Sequence, residues 1–234
     1  MKDVVSFIFA RGGSKGLKNK NLLSFAGKPL IAWTIEQALG HPEIKRVLVS
    51  TDSTEIAEIS KSFGAEVPFL RPPELSTDSS SELLSWKHAL NFLQKAEGKV
   101  PEIFVSLPCT APLRSQDDIT RNLELLVESG GDLVLTVTPS KRSPYFNMVH
   151  LQSDNRTSLL IENGSTYIRR QDAPRTYDMT TVAYSGKSRY ILGTNDLLSG
   201  KVYASIVDQE RAIDIDNSFD FEIAEYLFKK SGKI

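Results

Sequence analysis

The chain has 234 residues, 40% of them apolar and 24% charged, with a formal net charge of −1. That length and apolar content suffice for one main α/β domain with a full core, and the balanced charge excludes the marked basic excess of a nucleic-acid binder. Cys109 is the only cysteine and no apolar run reaches membrane-spanning length, so an intrachain disulfide, a cysteine metal cluster and a membrane span are all excluded and a cytoplasmic protein without a secretory leader is expected.

The apolar run Val4 to Ala10 predicts a buried strand. It empties into Arg11-Gly12-Gly13-Ser14-Lys15-Gly16-Leu17-Lys18-Asn19-Lys20-Asn21, a loop whose glycines and cations can bring backbone amides and positive charge up to an anion, phosphate being the first candidate. Neither G-x-x-x-x-G-K-[ST] nor G-x-G-x-x-G can be written here, which disfavours a Walker-type nucleoside triphosphatase and a dinucleotide fold. Leu30, Ile31, Thr34, Ile35, Ala38 and Leu39 then recur at helix spacing. Lys45 to Thr51 reads as a strand, Ile56, Ile59 and Phe63 mark a helix stopped at Gly64, and Glu66 to Leu70 reads as a short strand. Pro72-Pro73 forces an extended exit. One of Ser79, Ser80 and Ser81 is expected to cap a helix from about Glu82 to Ala96. Glu102 to Leu107 is the next strand, Ser115-Gln116-Asp117-Asp118 resembles a capping box opening a helix through Leu126, and Asp132 to Thr138 reads as a strand.

From Pro139 to about Thr181 the rhythm changes. Phe146 to Gln152 and Ser158 to Glu162 alternate about the turn-like Ser153-Asp154-Asn155-Arg156, which is a hairpin signal. Strand and loop patterns return over Val182 to Val207, and Asn217 opens a terminal helix with Phe221, Ala224, Leu227 and Phe228 inward. The alternation predicts an α/β fold, a mostly parallel central sheet with helices on both faces, plus a β-hairpin arm. The expected division is a catalytic domain of residues 1–138 and 182–234, with residues 139–181 as the arm.

Just before the terminal helix stands Ile213-Asp214-Ile215-Asp216. In an extended segment residues two apart share a side, so both carboxylates can face one hard cation while the isoleucines face the core. Mg²⁺ fits, because it binds through one or two carboxylates plus substrate phosphates. His41, His88 and His150 follow no metal spacing, and no nucleophile triad is legible.

Ala10-Arg11-x-x-Ser14-Lys15-Gly16, Lys20-Asn21-Leu22, Gly27-Lys28-Pro29-Leu30-Ile31, Ser50-Thr51-Asp52-Ser53, Arg71-Pro72-x-Glu74-Leu75 with Asp78 to Ser81, Pro112-Leu113-Arg114, Arg169 to Asp172 and Asp214-Ile215-Asp216 stand in one order. That order resembles the acylneuraminate cytidylyltransferases, the enzymes that make CMP-sialic acid, over roughly residues 4 to 228. The resemblance implies a nucleotide-diphospho-sugar transferase-like fold and transfer of CMP from CTP to an acidic nine-carbon sugar, with release of pyrophosphate. It implies Arg11, Lys15 and Lys20 as the cations on the triphosphate, and Gly12, Gly13 and Gly16 as the positions that let backbone approach it. It places Asn21 at the nucleotide or its ribose, Arg71 and one of Ser79, Ser80 or Ser81 near cytosine, and Asp214 and Asp216 on Mg²⁺. The arm is implied to cross a homodimer, with Lys141, Arg169, Arg170 and Gln171 as sugar partners, the arginines matching its carboxylate.

Two departures bear on the sugar. Pro108 stands where sialic-acid enzymes carry a Gln and offers no side-chain hydrogen bond, and Tyr177 to Val182 replaces a common Asn-Gly-Ala segment. A bacterial-type nonulosonate such as a legionaminic or pseudaminic relative is therefore favoured. The competing readings are a nucleotidyltransferase for another acidic sugar such as an octulosonate, and a non-catalytic nucleotide-binding protein of the same fold.

Overall fold

The computed structural model describes residues 2–14, 16–77 and 79–232. In chain order the elements are β1 (Val4–Phe9), β2 (Ser24–Phe25), β3 (Lys28–Pro29), α1 (Leu30–Leu39), β4 (Arg46–Ser50), α2 (Thr54–Ser62), α3 (Glu82–Glu97), β5 (Ile103–Ser106), α4 (Gln116–Ser129) and β6 (Leu133–Pro139). There follow β7 (Val149–Leu151), β8 (Thr157–Leu159), β9 (Tyr177–Lys187), α5 (Ser188–Gly193), β10 (Val202–Ile206) and α6 (Ser218–Lys230).

Strand β1 is apolar at every position but Ser6, as a strand covered on both faces must be. It pairs in parallel with β4 and β5 and sits inside a sheet of order β10-β6-β9-β5-β1-β4. Only β9 runs against its two neighbours, β5 and β6, so the sheet is mostly parallel as expected.

Side chains alternate across β1 and divide the core. Ile8 faces the layer of α1, α2 and α4, where it joins Ile31, Ile35, Ile56, Ile119 and Leu123. Phe7 faces α3 and α5 among Trp86, Leu90, Leu93 and Ile191, and stacks on Phe104 with ring centroids 4.8 Å apart. Helices α4 and α6 open with complete capping boxes, Ser115 with Asp118 and Asn217 with Asp220. A third cluster packs Ala224 and Phe228 of α6 against Phe25, Leu30 and Ile215. This cluster fixes the chain between β10 and α6, which carries Asp214 and Asp216.

Three expectations need correction. Glu66 to Leu70 forms only isolated bridges, to Leu48 and Thr51, because Pro68 has no amide to donate to a ladder. Ser81 holds the N-cap of α3, but its side chain makes no capping hydrogen bond. Strand β9 begins at Tyr177, ahead of Val182, and pairs Tyr177 with Pro139. The arm segment 139–181 thus ends inside the sheet: its middle, with the β7–β8 hairpin, is a long excursion between two adjacent strands. Among the described residues, no helix is long and apolar enough to cross a membrane.

Candidate active site

At the carboxyl ends of β1 and β5 lies a cavity of about 440 Å³, where open parallel sheets bind ligands. The loop after β1 supplies Arg11, Ser14, Gly16, Lys20 and Asn21, and the loop after β5 supplies Pro108, Cys109 and Thr110. Asp216 closes one side.

The glycine loop is held by its own neighbours. Asn21 is buried and donates from Nδ2 to the Arg11 carbonyl at 3.1 Å, while the Gly12 amide donates to Asp52 Oδ1 at 2.9 Å. Asn19 adopts a left-handed conformation (φ 55°), which asparagine tolerates, and starts the short turn Lys20–Leu22. That turn aims Lys20 at the acidic segment: its Nζ donates to the Ile215 carbonyl and lies 3.5 Å from Asp216 Oδ1. At Gly16 the approach is closest, since a Cβ there would stand 2.2 Å from the Asp216 carbonyl oxygen. Only glycine fits without moving backbone. At Gly13 a Cβ would meet no atom within 4 Å, so packing alone does not demand glycine there. Lys15, the second expected cation, lies outside the described residues.

The segment before α6 follows the expected alternation only in its second half, Ile213 and Asp214 both being half-buried. Ile215 is buried and its amide donates to the Thr110 carbonyl at 2.9 Å, while the Asp216 side chain is 76% exposed. Asp214 Oδ1 is buried and has no hydrogen-bond partner. An orphaned anionic acceptor is costly, and a hard cation would satisfy it. No group of three or more His, Cys, Asp or Glu is placed to hold a metal among the described residues, so a cation bound by Asp214 and Asp216 would take its other ligands from substrate phosphate and water. That is the way Mg²⁺ is usually held, and the donors present fit it.

Away from the phosphate loop the cavity is lined by Arg71, Leu75, Ser80, Glu82 and Ser85, with Phe9 behind. Arg71 is buried; Nε donates to Ser76 Oγ at 3.0 Å, Nη1 to Ser85 Oγ at 3.4 Å, and Nη2 lies 3.9 Å from Asp52 Oδ1. Burial pulls its guanidinium below the ordinary arginine value, and Arg11 adds to this against the pull of Asp52. The Glu82 carboxyl is pushed up, first by the protein around it and also by Asp214, although its side chain opens to the cavity water. Burial likewise raises the Cys109 thiol to about 12, so it stays protonated and serves as wall. Arg114, fully buried and drawn down to about 10 by burial, ties that wall in place. It donates from Nη2 to the Pro108 carbonyl at 2.6 Å, from Nη1 to Gln37 Oε1 at 3.1 Å, and from Nε to the Val182 carbonyl.

Arg11, Gly16, Lys20, Asn21, Arg71, Ser80 and Asp216 are thus brought to one cavity. Gly12, Gly13, Ser79, Ser81 and Asp214 do not line it. Nor do Lys141, Arg169, Arg170 and Gln171: Arg170 and Gln171 line a separate cavity with Arg142 and Arg175, Arg170 donates to the Lys141 carbonyl at 2.6 Å, and Arg169 is paired with Asp172 at 3.0 Å. Two residues at the site went without a role in the sequence reading. Asp52 stood inside a recognised motif. Glu82 reads from sequence as an ordinary acid in the first turn of a helix, where carboxylates are common for dipole reasons.

The cytidylyltransferase family model matches residues 5–232. CMP-N,N'-diacetyllegionaminic acid synthase of Campylobacter jejuni is 35% identical over 227 residues, covering 97% of this chain and 95% of the relative. N-acylneuraminate cytidylyltransferase of Escherichia coli is 32% identical over 231 residues, covering 98% of this chain and 53% of the relative. Among solved structures, CMP:2-keto-3-deoxy-manno-octonic acid synthetase complexed with CTP shares the fold, with a TM-score of 0.71 at 17% identity over 98% of this chain and 99% of that one. With a family model matched over nearly its whole length, the chain belongs to the cytidylyltransferase family.

Proposed function

We propose that this chain joins CMP from CTP to a sialic-acid-like nonulosonate with release of pyrophosphate, using Mg²⁺. The observation that carries the reading is the close seating of the glycine loop on the acidic segment, Gly16 against Asp216, with Lys20 reaching the same segment. Cations for a triphosphate and a carboxylate for its counter-cation meet at one point. The named activities of the relatives agree with it.

In the reaction a sugar hydroxyl attacks the α-phosphorus as the pyrophosphate oxygen departs in line. Most of the acceleration in such a step comes from positioning and charge neutralisation. Arg11 and Lys20 face the phosphates, and Lys20 is pre-positioned by the Ile215 carbonyl, so little reorganisation is needed when negative charge moves to the leaving group. Asp214 and Asp216 would hold Mg²⁺, which when bound neutralises phosphate charge. The test is pyrophosphate release with CTP, Mg²⁺ and a panel of nonulosonates and octulosonates; absence of release with every acid would end the reading.

The sugar is of the legionaminic or pseudaminic type. Pro108 lines the cavity and its only hydrogen-bonding group, the carbonyl, already accepts from Arg114. With a contact to the sugar missing, kcat/KM for a legionaminate-like or pseudaminate-like acid is expected to exceed that for N-acetylneuraminate by about tenfold, the worth of one hydrogen bond. Equal efficiency under identical CTP and Mg²⁺ would show Pro108 to be neutral.

The arm serves a homodimer. Leu151 is 62% and Ile168 87% exposed on it, with Met148, Leu160 and Ile161 nearby in the chain also exposed, an apolar surface suited to a second copy. The arm's arginines, which stand outside the CTP cavity of their own chain, would reach the partner's sugar. Light scattering is expected to give a dimer, and Arg170→Ala to raise KM for the sugar several-fold more than KM for CTP. An active monomer at assay concentration would refute the arrangement. A cytoplasmic location accords with the single, buried thiol.

A further inference from the structure

The acidic segment comes to the cavity from a turn that is itself held from behind. After β10 the chain turns over residues 208–212: the Arg211 and Ala212 amides donate to the Asp208 carbonyl at 3.0 and 3.1 Å, and the Arg211 Nη1 is paired with the Asp208 carboxylate at 2.8 Å. The same guanidinium forks onto Asp118 of α4, Nε donating to Oδ2 at 2.9 Å and Nη2 to Oδ1 at 3.2 Å. A planar two-point contact of this kind fixes direction as well as distance. The Asp118 side chain is only 1% exposed, and its Oδ2 also accepts from the amide and the hydroxyl of Ser115, each at 2.9 Å. Ser115 directly follows Arg114, the residue that ties Pro108 into the cavity wall. One buried carboxylate therefore joins that wall to a turn whose Arg211 stands three residues before Asp214. The arginine is more than a capping box needs, since the box that opens α6 is complete with Asp220 paired to no cation among the described residues. Arg211, Asp118 and Asp208 do not line the cavity, so whatever they do for the site is done through the segment.

We propose that Arg211 is a positioning residue for CMP transfer, its fork on Asp118 setting where Asp214 and Asp216 stand relative to the phosphate loop. The inference rests on the reading of these two aspartates as the Mg²⁺ carboxylates and adds the group that holds them in place. Mg²⁺ demands near-ideal octahedral geometry, so its carboxylates must stand at a fixed distance from the phosphates, and such placement is the work of supporting groups behind the ligands. The segment is held at three points. Arg211 fixes its entry, the Ile215 amide on the Thr110 carbonyl at 2.9 Å its middle, and Asp220, which accepts from the Asp216 amide at 3.0 Å, its exit. The entry is the point held by two side chains, so it can be altered without touching the backbone bonds of the other two.

Arg211→Lys and Arg211→Gln test this, read by calorimetry of CTP binding with and without Mg²⁺, by the Mg²⁺ needed for half-maximal pyrophosphate release, and by a thermal melt. Lysine keeps a charge beside buried Asp118 but loses the fork. Arg211→Lys is therefore expected to bind CTP as the wild type does when Mg²⁺ is absent, to gain less affinity when Mg²⁺ is added, and to need about tenfold more Mg²⁺ for half-maximal turnover, the lower end of what a change behind a metal ligand costs. Arg211→Gln is expected to shift both readouts further and also to melt earlier, because it leaves a buried carboxylate without its counter-charge. An arginine with a merely structural role would lower the melt and leave the Mg²⁺ demand where it was; that result, or an Arg211→Lys variant equal to the wild type in both Mg²⁺ readouts, overturns the inference. Asp216→Asn in the same series separates two failures. If it too leaves the Mg²⁺ demand unmoved, the cation reading of the acidic segment fails and the role of Arg211 with it; if it moves that demand and Arg211→Lys does not, the role of Arg211 alone falls.

Discussion

Asp216→Asn is expected to lower the rate of CMP transfer about 100-fold or more while the protein stays folded. The two halves of that expectation have separate causes. A carboxylate that helps hold a phosphate-bound cation contributes several kcal/mol to the transition state, and each ~1.4 kcal/mol is a factor of ten in rate. Stability should barely move. The Asp216 side chain is 76% exposed and its ion pair with Lys20 is 3.5 Å long, and such surface contacts change stability by about 0.5 kcal/mol at most. Lys20 keeps its bond to the Ile215 carbonyl in the variant, so the cation does not swing away. Turnover measured over a Mg²⁺ titration, beside a thermal melt, checks both halves; near wild-type turnover at low Mg²⁺ would remove Asp216 from the cation site. Asp214→Asn should lose activity as well, without losing stability, because it replaces an anionic oxygen that has no partner in the fold by a neutral amide.

Much of this was legible in the sequence because its signals are local. The period-two and helix-period patterns located β1, β4, β5, β6 and the main helices, while the expected alternation before α6 holds for buried Ile215 and exposed Asp216 but not for Ile213 and Asp214, which are both half-buried. Features that depend on distant chain were not legible. The antiparallel entry of β9 is decided by pairing with Pro139 across the whole arm, and nothing between Tyr177 and Thr181 announces it. Glu82 owes its place at the cavity to the packing that brings the start of α3 beside Arg71, which bonds Ser85 of that helix. The arm residues Arg169, Arg170 and Gln171 matched a family motif in the chain, yet in space Arg170 and Gln171 line a different cavity and Arg169 pairs with Asp172, because the long excursion between β6 and β9 carries them away from the first cavity.

The glycines show the same limit at the scale of one atom, and they yield the other large effect. By sequence Gly13 and Gly16 are alike; in the fold only Gly16 is pressed against backbone. Gly16→Ala would put a methyl 2.2 Å from the Asp216 carbonyl oxygen, far inside contact distance. The Asp216 segment does not yield readily, being pinned by the Ile215 amide on Thr110 and by the α6 cluster, so the loop is the part that must move. Moving it takes the loop's backbone away from the triphosphate and separates Lys20 from Asp216. A misplacement of about 1 Å can cost on the order of 100-fold in rate, and that is the expected loss for Gly16→Ala, with KM for CTP rising. The fold should survive, because Gly16 is exposed and belongs to no strand or helix. Gly13→Ala separates packing from ligand approach: its methyl meets no protein atom within 4 Å, so any loss of CTP affinity there reports the nucleotide itself against the loop. Full activity of Gly16→Ala would mean that the contact between the glycine loop and the acidic segment is not what assembles the site.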